Sequence, residues 1–86
     1  MYQLDFTEDA LRDFGRFSAA EQSDILIDLE ELELDPFPPE VVPIQDPQSG
    51  DIYYLYKTPF YAIGYQVFEA DKDILVFGID RLFGSN

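Results

Sequence analysis

The sequence contains no cysteine and no histidine, and lysine and arginine together number five. Without cysteine, the chain has no disulfide, no thiolate ligand for a metal and no thiol nucleophile. Without histidine, it lacks the side chain that most often acts as a general acid or base near neutral pH. The fold must therefore rest on packing, and any catalysis would have to use carboxylates, phenols and a few cations.

Long apolar segments are also missing. No run approaches the roughly 20 apolar residues that a membrane-spanning helix needs. The first residues, Met1–Phe6, carry neither the basic stretch nor the apolar stretch of a secretory signal. The lack of cysteine suits a reducing compartment. The expected location is therefore the cytoplasm, without membrane contact.

The charge is strongly one-sided. Eighteen aspartate and glutamate residues face five basic residues, so the formal net charge is −13. Proteins that bind nucleic acids concentrate lysine and arginine, because neutralising phosphates releases counterions. A surface of this sign repels nucleic acid and anionic lipid alike. It favours a basic protein as partner, although an acidic surface that serves solubility alone is the open alternative.

Core-forming residues are plentiful despite this charge. Hydrophobic residues make up 47% of the 86 residues, and aromatic residues make up 16%. A disordered acidic chain would have few aromatic residues. The length is that of one domain, so residues 1–86 are predicted to form a single folded unit.

Two helices are predicted in the first half of the chain. Thr7 is a candidate N-cap of the first, in which Leu11 and Phe14 share a face. Ser18 and Glu21 form a capping box at the start of the second. The second helix should end near Leu34, ahead of a proline-rich loop. Its predicted buried stripe consists of Ile25, Leu29 and Leu32, with Ala20 and Leu26 beside it.

The helical pair carries most of the charge. Residues 7–35 hold ten acidic and two basic residues, a net −8. Glu30, Glu31 and Glu33 lie near the end of the second helix, where the helix dipole disfavours negative charge. Because these three glutamates destabilise the end of the helix, their presence favours a role for this helical surface in binding a partner.

Strand patterns account for the rest of the chain. Tyr2–Phe6 alternates apolar and polar residues, as a half-buried strand does. The predicted class is α+β, with an N-terminal strand, a two-helix hairpin and an antiparallel sheet of three to four strands. The last residues, Phe83–Asn86, read as a loose tail. The predicted later strands are Val41–Ile44, with Pro43 marking an edge, Ile52–Tyr56, Phe60–Glu69 and Asp73–Asp80.

The order of elements and several local motifs resemble the RelE/ParE toxin superfamily of toxin–antitoxin systems. The segment Thr7–Ala10 is similar to the family's S/T-x-x-A after its first strand, and Leu34–Pro36 to the end of its second helix. The segments that match its sheet strands are Gly50–Tyr54, similar to G-x-Y-R, Phe60–Val67, similar to x-Y-R-I-x-Y-x-V, and Ile79–Arg81, similar to I-x-x-R or H-R. Nearly the whole chain takes part in the resemblance.

The resemblance implies a metal-independent ribonuclease that cuts ribosome-bound mRNA, and the chain departs from it where that chemistry is carried. Such a reaction needs a base, cations for the phosphate and an acid for the leaving oxygen. Ala62 stands where the family has the arginine of Y-R-I, and Tyr54 or Leu55 stands near the arginine of the preceding strand. Leu82 and Phe83 follow Arg81, where a tyrosine is expected. Losing one such donor costs about 10²–10³ in rate.

The candidate catalytic residues that remain are Arg81, Lys57 and Tyr61. Each also has a structural interpretation, since Arg81 can pair with Asp80 or with an acidic helix, Lys57 can be a solvated hairpin residue, and the tyrosines can be core residues. No cofactor and no metal site is predicted, because the acid clusters lack the spacing of a calcium loop. Whether the chain is an enzyme stays open, with the balance against it.

Three functions follow. The leading one is a RelE/ParE-like protein without ribonuclease activity that acts by binding an antitoxin-like or basic protein, with direct nucleic-acid binding not expected. The second is an active toxin with a rearranged site. The third is an acidic mimic that occupies a nucleic-acid-binding surface on a basic protein. A homodimer is not excluded by the sequence.

Overall fold

The computed structural model describes residues 1–82, and the predicted tail Phe83–Asn86 lies outside the described residues. A strand and two helices come first, followed by four strands, which confirms the predicted α+β order. The elements are β1 (Gln3–Phe6), α1 (Glu8–Gly15), α2 (Ala19–Leu34), β2 (Val42–Gln45), β3 (Ile52–Lys57), β4 (Tyr61–Phe68) and β5 (Asp73–Arg81).

Both helices begin at the predicted capping residues. The Thr7 hydroxyl accepts a hydrogen bond from the Ala10 amide at 3.1 Å, which satisfies one of the free amides of the first turn of α1. At α2 the Ser18 hydroxyl accepts from the Glu21 amide, and the Glu21 carboxylate accepts from the Ser18 amide. These reciprocal bonds confirm the capping box and fix where the second helix starts.

The five strands form one mixed sheet in the order β1-β5-β4-β3-β2. Strands β2 to β5 pair antiparallel with their chain neighbours, as the meander prediction requires, and β2 with Pro43 lies at the edge. Strand β1 adds a parallel partner to β5, a pairing that the predicted order of elements did not specify. Tight turns force chain neighbours to run antiparallel, whereas β1 and β5 are joined only through the whole intervening fold.

One face of the sheet packs against the helices, and we call it the inner face. Ile25, Leu29 and Leu32 of α2 are buried there, which confirms the predicted stripe. Ala20 and Leu26, predicted near this stripe, are both exposed, although Leu26 lies beside the buried Leu29. Leu26 follows Ile25 by about 100° around the helix, which turns its side chain toward solvent. The sheet contributes to this core Ile63, Tyr61, Tyr65, Ile74, Val76 and Ile79.

The opposite face, which we call the outer face, carries a β-bulge. The register of β4 against β5 slips between Gly64 and Tyr65, so that Phe77 has no direct partner. The Phe77 ring lies over Gly64, and a Cβ added to Gly64 would approach two ring carbons to 2.9 Å. A Cβ at position 64 would therefore force the Phe77 ring on the neighbouring strand to move, which favours glycine here.

Apolar side chains continue across the outer face. The Tyr53 ring meets the Phe77 ring edge-on, with centroids 5.5 Å apart. Leu55 lies beside Gly64, and Val42 of the edge strand is paired with Leu55. Within residues 1–82 both helices pack on the inner face, so these side chains are left half-buried or exposed. No helix in this part of the chain is long and apolar enough to cross a membrane.

Candidate functional site

The three candidate catalytic residues lie at one end of the central strands. Tyr61 of β4 pairs with Arg81 of β5, and Lys57 of β3 pairs with Ala62 of β4. Adjacent residues along a strand point to opposite faces, so Tyr61 and Ala62 face opposite ways. The pairing therefore brings Tyr61 and Arg81 toward the helices and leaves Lys57 with Ala62 on the outer side.

Arg81 is held by the start of α2. Its guanidinium donates two hydrogen bonds to the Glu21 carboxylate, one of them from Nη2 at 3.2 Å. It also lies over the Phe17 ring, 4.6 Å from the centroid. The expected ion pair with an acidic helix is confirmed, and its partner is Glu21, with no Asp80 pairing among the ion pairs of residues 1–82.

This ion pair shapes the electrostatics of the site. The hydrogen bond from Arg81, together with the Ser18 amide, lowers the pKa of Glu21 to about 2. The same bond raises the pKa of Arg81. Both groups stay charged near neutral pH, and two guanidinium donors of Arg81 are directed at Glu21.

Tyr61 is buried, with 5% of its surface exposed. Its hydroxyl donates a hydrogen bond to the Asp28 carboxylate of α2, and its ring meets Phe17 edge-on at 6.3 Å. Burial, the bond to Asp28 and the Asp28 charge raise its pKa strongly. A phenol that donates its hydrogen bond to a carboxylate, and whose pKa is raised, is poorly suited to proton transfer with a substrate.

Lys57 is exposed at the end of β3 and forms no ion pair within residues 1–82. Of the two cationic candidates, Arg81 and Lys57, only Lys57 is exposed without an ion-pair partner among the described residues. Its neighbours on the outer face are Ala62, where the resemblance expects an arginine, and Leu55, which stands near the place of another. A phosphate placed there would meet a single lysine, with the exposed Asp80 paired with Ala62 on the neighbouring strand.

Other polar side chains of residues 1–82 lie near Arg81. Within residues 1–82 no three carboxylates lie close enough to hold a metal ion. A cavity of about 160 Å³ beside Arg81 is lined by mixed charges, among them Arg16 and Asp13. Asp13 accepts a hydrogen bond from the Ile79 amide at 3.2 Å, so it stabilises the end of β5. These contacts connect α1 to the sheet and serve the fold.

Sequence reasoning missed two surfaces that the fold creates. One is the continuous apolar outer face, which depends on the bulge at Phe77 and on strand register. The other is a groove between the helices at Leu11 and Leu26, which were expected on buried faces. Alternation along β3 was a partial signal for the first, whereas the second depends on how α1 packs against α2.

No family model and no curated protein matches the sequence. Solved structures do match it. The RelBE2 toxin–antitoxin complex of Mycobacterium tuberculosis aligns with a TM-score of 0.80 at 16% identity, over 94% of this chain and 98% of that one. The RelE–RelB complex of Pyrococcus horikoshii also gives 0.80, at 20% identity and 98% of both chains. The isolated Escherichia coli RelE toxin gives 0.75 at 22% identity, over 99% of this chain and 88% of that one.

The chain therefore has the fold of RelE toxins, as its motifs predicted. The identities are low, so the likeness establishes the fold and not the chemistry.

Proposed function

We propose that this RelE-fold chain has no ribonuclease activity and acts by binding a protein partner. The carrying observation is the separation of the candidate catalytic residues. Arg81 is paired with Glu21 and the Tyr61 hydroxyl donates a hydrogen bond to Asp28, while Lys57 lies on the other face of the sheet. Groups that must act on one phosphodiester cannot work together from opposite faces of a sheet.

The chemistry of RNA cleavage supports the same conclusion. The 2′-hydroxyl needs a base, and the crowded negative charge of the transition state needs several cations aimed at one point. Ala62, and Tyr54 or Leu55, stand where the resemblance expects arginines, and none of them carries a positive charge. With a net charge of −13, the whole chain also repels the substrate before any contact is made.

A protein partner fits the outer face. Side chains such as Val42 and Leu55 expose apolar surface that a second polypeptide can bury. Two of the similar structures are complexes of a RelE toxin with its antitoxin, which supports an antitoxin-like polypeptide as the partner. A partner with basic residues would also be attracted by the negative field of this chain.

Expression in bacteria tests the absence of toxicity. Inducing the wild-type chain should leave the growth rate unchanged, and Arg81→Ala should behave the same way. Growth arrest by the wild type that is abolished by Arg81→Ala, with equal amounts of folded protein, would instead establish the active toxin with a rearranged site.

The binding half of the proposal has its own test. A candidate partner from an adjacent small reading frame should co-purify with the wild type and with Ile27→Ser, whose substitution lies on the helices. Val42→Ser and Leu55→Ser together should weaken its binding by about tenfold or more, since they remove apolar contact area. Equal retention by all three proteins would refute the outer face as the binding surface.

A further inference from the structure

A second apolar surface lies on the helical side of the molecule, away from the outer face. It is a cleft of about 210 Å³ between α1, α2 and β1, and we call it the helix groove. Its floor and walls are entirely apolar side chains. The residues that line it are Phe6, Leu11, Phe14, Leu26 and Leu29.

The groove exposes leucines that the core does not use. Leu11 is 56% exposed and Leu26 is 48% exposed. Both lie on helices whose other exposed positions, taken together, are mostly acidic or polar. Small-molecule pockets usually measure about 300–1,000 Å³, so this cleft is too small to enclose a typical ligand. It has room for one or two apolar side chains inserted by another polypeptide, as in helix-in-groove recognition.

Acidic side chains border the groove. Glu30 lies one turn after Leu26 on α2, Glu33 one turn after Leu29, and Glu8 one turn before Leu11 on α1. None of these three carboxylates takes part in the ion pairs of residues 1–82. The last turn of α2 holds no basic residue, so its acids lie against the negative end of the helix dipole. Cations brought by a partner would relieve that repulsion.

From this combination we infer that the helix groove docks a basic amphipathic helix of another protein. Leucine-like side chains at every third or fourth position of that helix enter the groove between Leu11 and Leu26. Lysine or arginine side chains on its flanks pair with Glu30 and Glu33. The inference rests on the proposed protein-binding function. It concerns the helix groove and not the outer face.

Charge selects this occupant over a second copy of the chain. Two copies that met at their grooves would each bring a net charge of −13 and would place Glu30 and Glu33 against one another. Like charges held together at an interface disfavour association. An anionic lipid surface is disfavoured by the same repulsion.

A pair of designed peptides tests the inference. One is a helix of roughly 18 residues, about five turns, with leucine at every third or fourth position and lysine elsewhere. The other keeps the leucines and replaces every lysine with glutamate. Binding to the whole chain is measured by fluorescence anisotropy at low and high salt. The lysine peptide should bind, with an affinity that falls as salt rises, and the glutamate peptide should not.

Matched variants locate the binding. Leu26→Ser should weaken the lysine peptide about tenfold or more, because it removes a wall of the groove. Ile27→Ser is the control, since Ile27 is 55% exposed on the same helix but does not line the groove, and it should change binding by less than about twofold.

A second pair of variants tests the charges. Glu30→Gln with Glu33→Gln should weaken binding about three- to tenfold at low salt, and the loss should shrink at high salt. Asp24→Asn with Glu31→Gln removes the same number of charges from the opposite side of α2 and should have a clearly smaller effect.

Several outcomes would overturn the inference. Equal losses from Leu26→Ser and Ile27→Ser would mean that the peptide does not distinguish the groove from the rest of α2, and no loss from either would mean that it binds through overall charge alone. A dimer in sedimentation that Leu26→Ser dissociates would make a second copy the occupant. Loss of peptide binding in the Val42→Ser, Leu55→Ser variant would move the site to the outer face. None of these readouts involves RNA, so ribonuclease activity in the wild type would contradict the proposed function without affecting this result.

Discussion

The two faces of the sheet differ in what their side chains are committed to. On the inner face Tyr61 and Tyr65 are buried, and each hydroxyl has a specific partner, Asp28 or the carbonyl oxygen of Pro36. On the outer face Tyr53 and Leu55 are half-buried, and Tyr53 forms no side-chain hydrogen bond within residues 1–82. The inner-face tyrosines are buried and hydrogen-bonded within the fold. The outer-face side chains Tyr53 and Leu55 remain partly accessible to solvent.

This contrast bears on the proposed function. The resemblance assigns an arginine to the position of Ala62, whose side chain lies on the outer side of β4 and is 8% exposed. Arg81, which contacts the helix side, is kept in an ion pair with Glu21.

Core truncation should show the largest difference between the faces. Ile63→Ala removes a fully buried side chain beneath the helices and should lower the free energy of unfolding by about 3 kcal/mol. Leu55→Ala, on the neighbouring strand but facing outward, should cost roughly 1 kcal/mol. Urea denaturation followed by circular dichroism measures both. Equal losses would mean that the outer face belongs to the core.

A methyl group added at the bulge should have the next largest effect. Gly64→Ala places a Cβ about 2.9 Å from the Phe77 ring and should cost about 1–2 kcal/mol through overpacking. Phe77→Ala should remove most of that penalty, so the double variant should lose less than the sum of the two single losses. Strict additivity in this double-mutant cycle would refute the contact.

Removing single hydroxyl groups should separate the faces more finely. Tyr65→Phe deprives the Pro36 carbonyl of its donor at 2.6 Å in a buried setting and should cost about 1–2 kcal/mol. Tyr53→Phe should stay within about 0.5 kcal/mol of wild type. The same denaturation curves report both values, and a cost at Tyr53 equal to that at Tyr65 would contradict the assignment.

Acid titration should give the smallest effect, because the Arg81–Glu21 pair is largely exposed. The folded-state pKa of Glu21, about 2, lies below its ordinary value of 4.5. Its contribution to stability is therefore complete above pH 4.5 and is lost as the pH falls toward 2. The melting temperature of Arg81→Met should lie below that of wild type at pH 6, and the gap should close near pH 2.

Lys57→Met serves as the control for this titration. It removes one positive charge from the outer side without breaking an ion pair of the described residues. The difference in melting temperature between Lys57→Met and wild type should not change in the same way between pH 4.5 and pH 2. A matching profile in the two variants would trace the effect to net charge and away from the contact with Glu21.

Local sequence signals predicted much of the architecture. Thr7, Ser18 and Glu21 act within one turn of their partners, so short-range patterns were enough to find both helix starts. The same holds for the meander, whose strands are joined by short turns. The parallel pairing of β1 with β5 was missed, because it depends on how the whole chain folds back.

The candidate site was less predictable for a related reason. An ion pair for Arg81 with an acidic helix could be expected from composition, but Glu21 lies 60 positions away and was not identifiable as the partner. The exposure of Leu11 and Leu26 depends on the packing of α1 against α2, which periodicity does not specify. The bulge at Phe77 shifts register by one residue, and that shift is invisible in the alternation of β5 alone.

The most direct test of the central claim is cleavage of mRNA on translating ribosomes. The purified chain would be compared with a variant carrying Lys57→Ala, Tyr61→Phe and Arg81→Ala, and cleavage would be mapped by primer extension. The account predicts no cleavage above the buffer control for either protein. Site-specific cleavage by the wild type that the triple variant abolishes would contradict it.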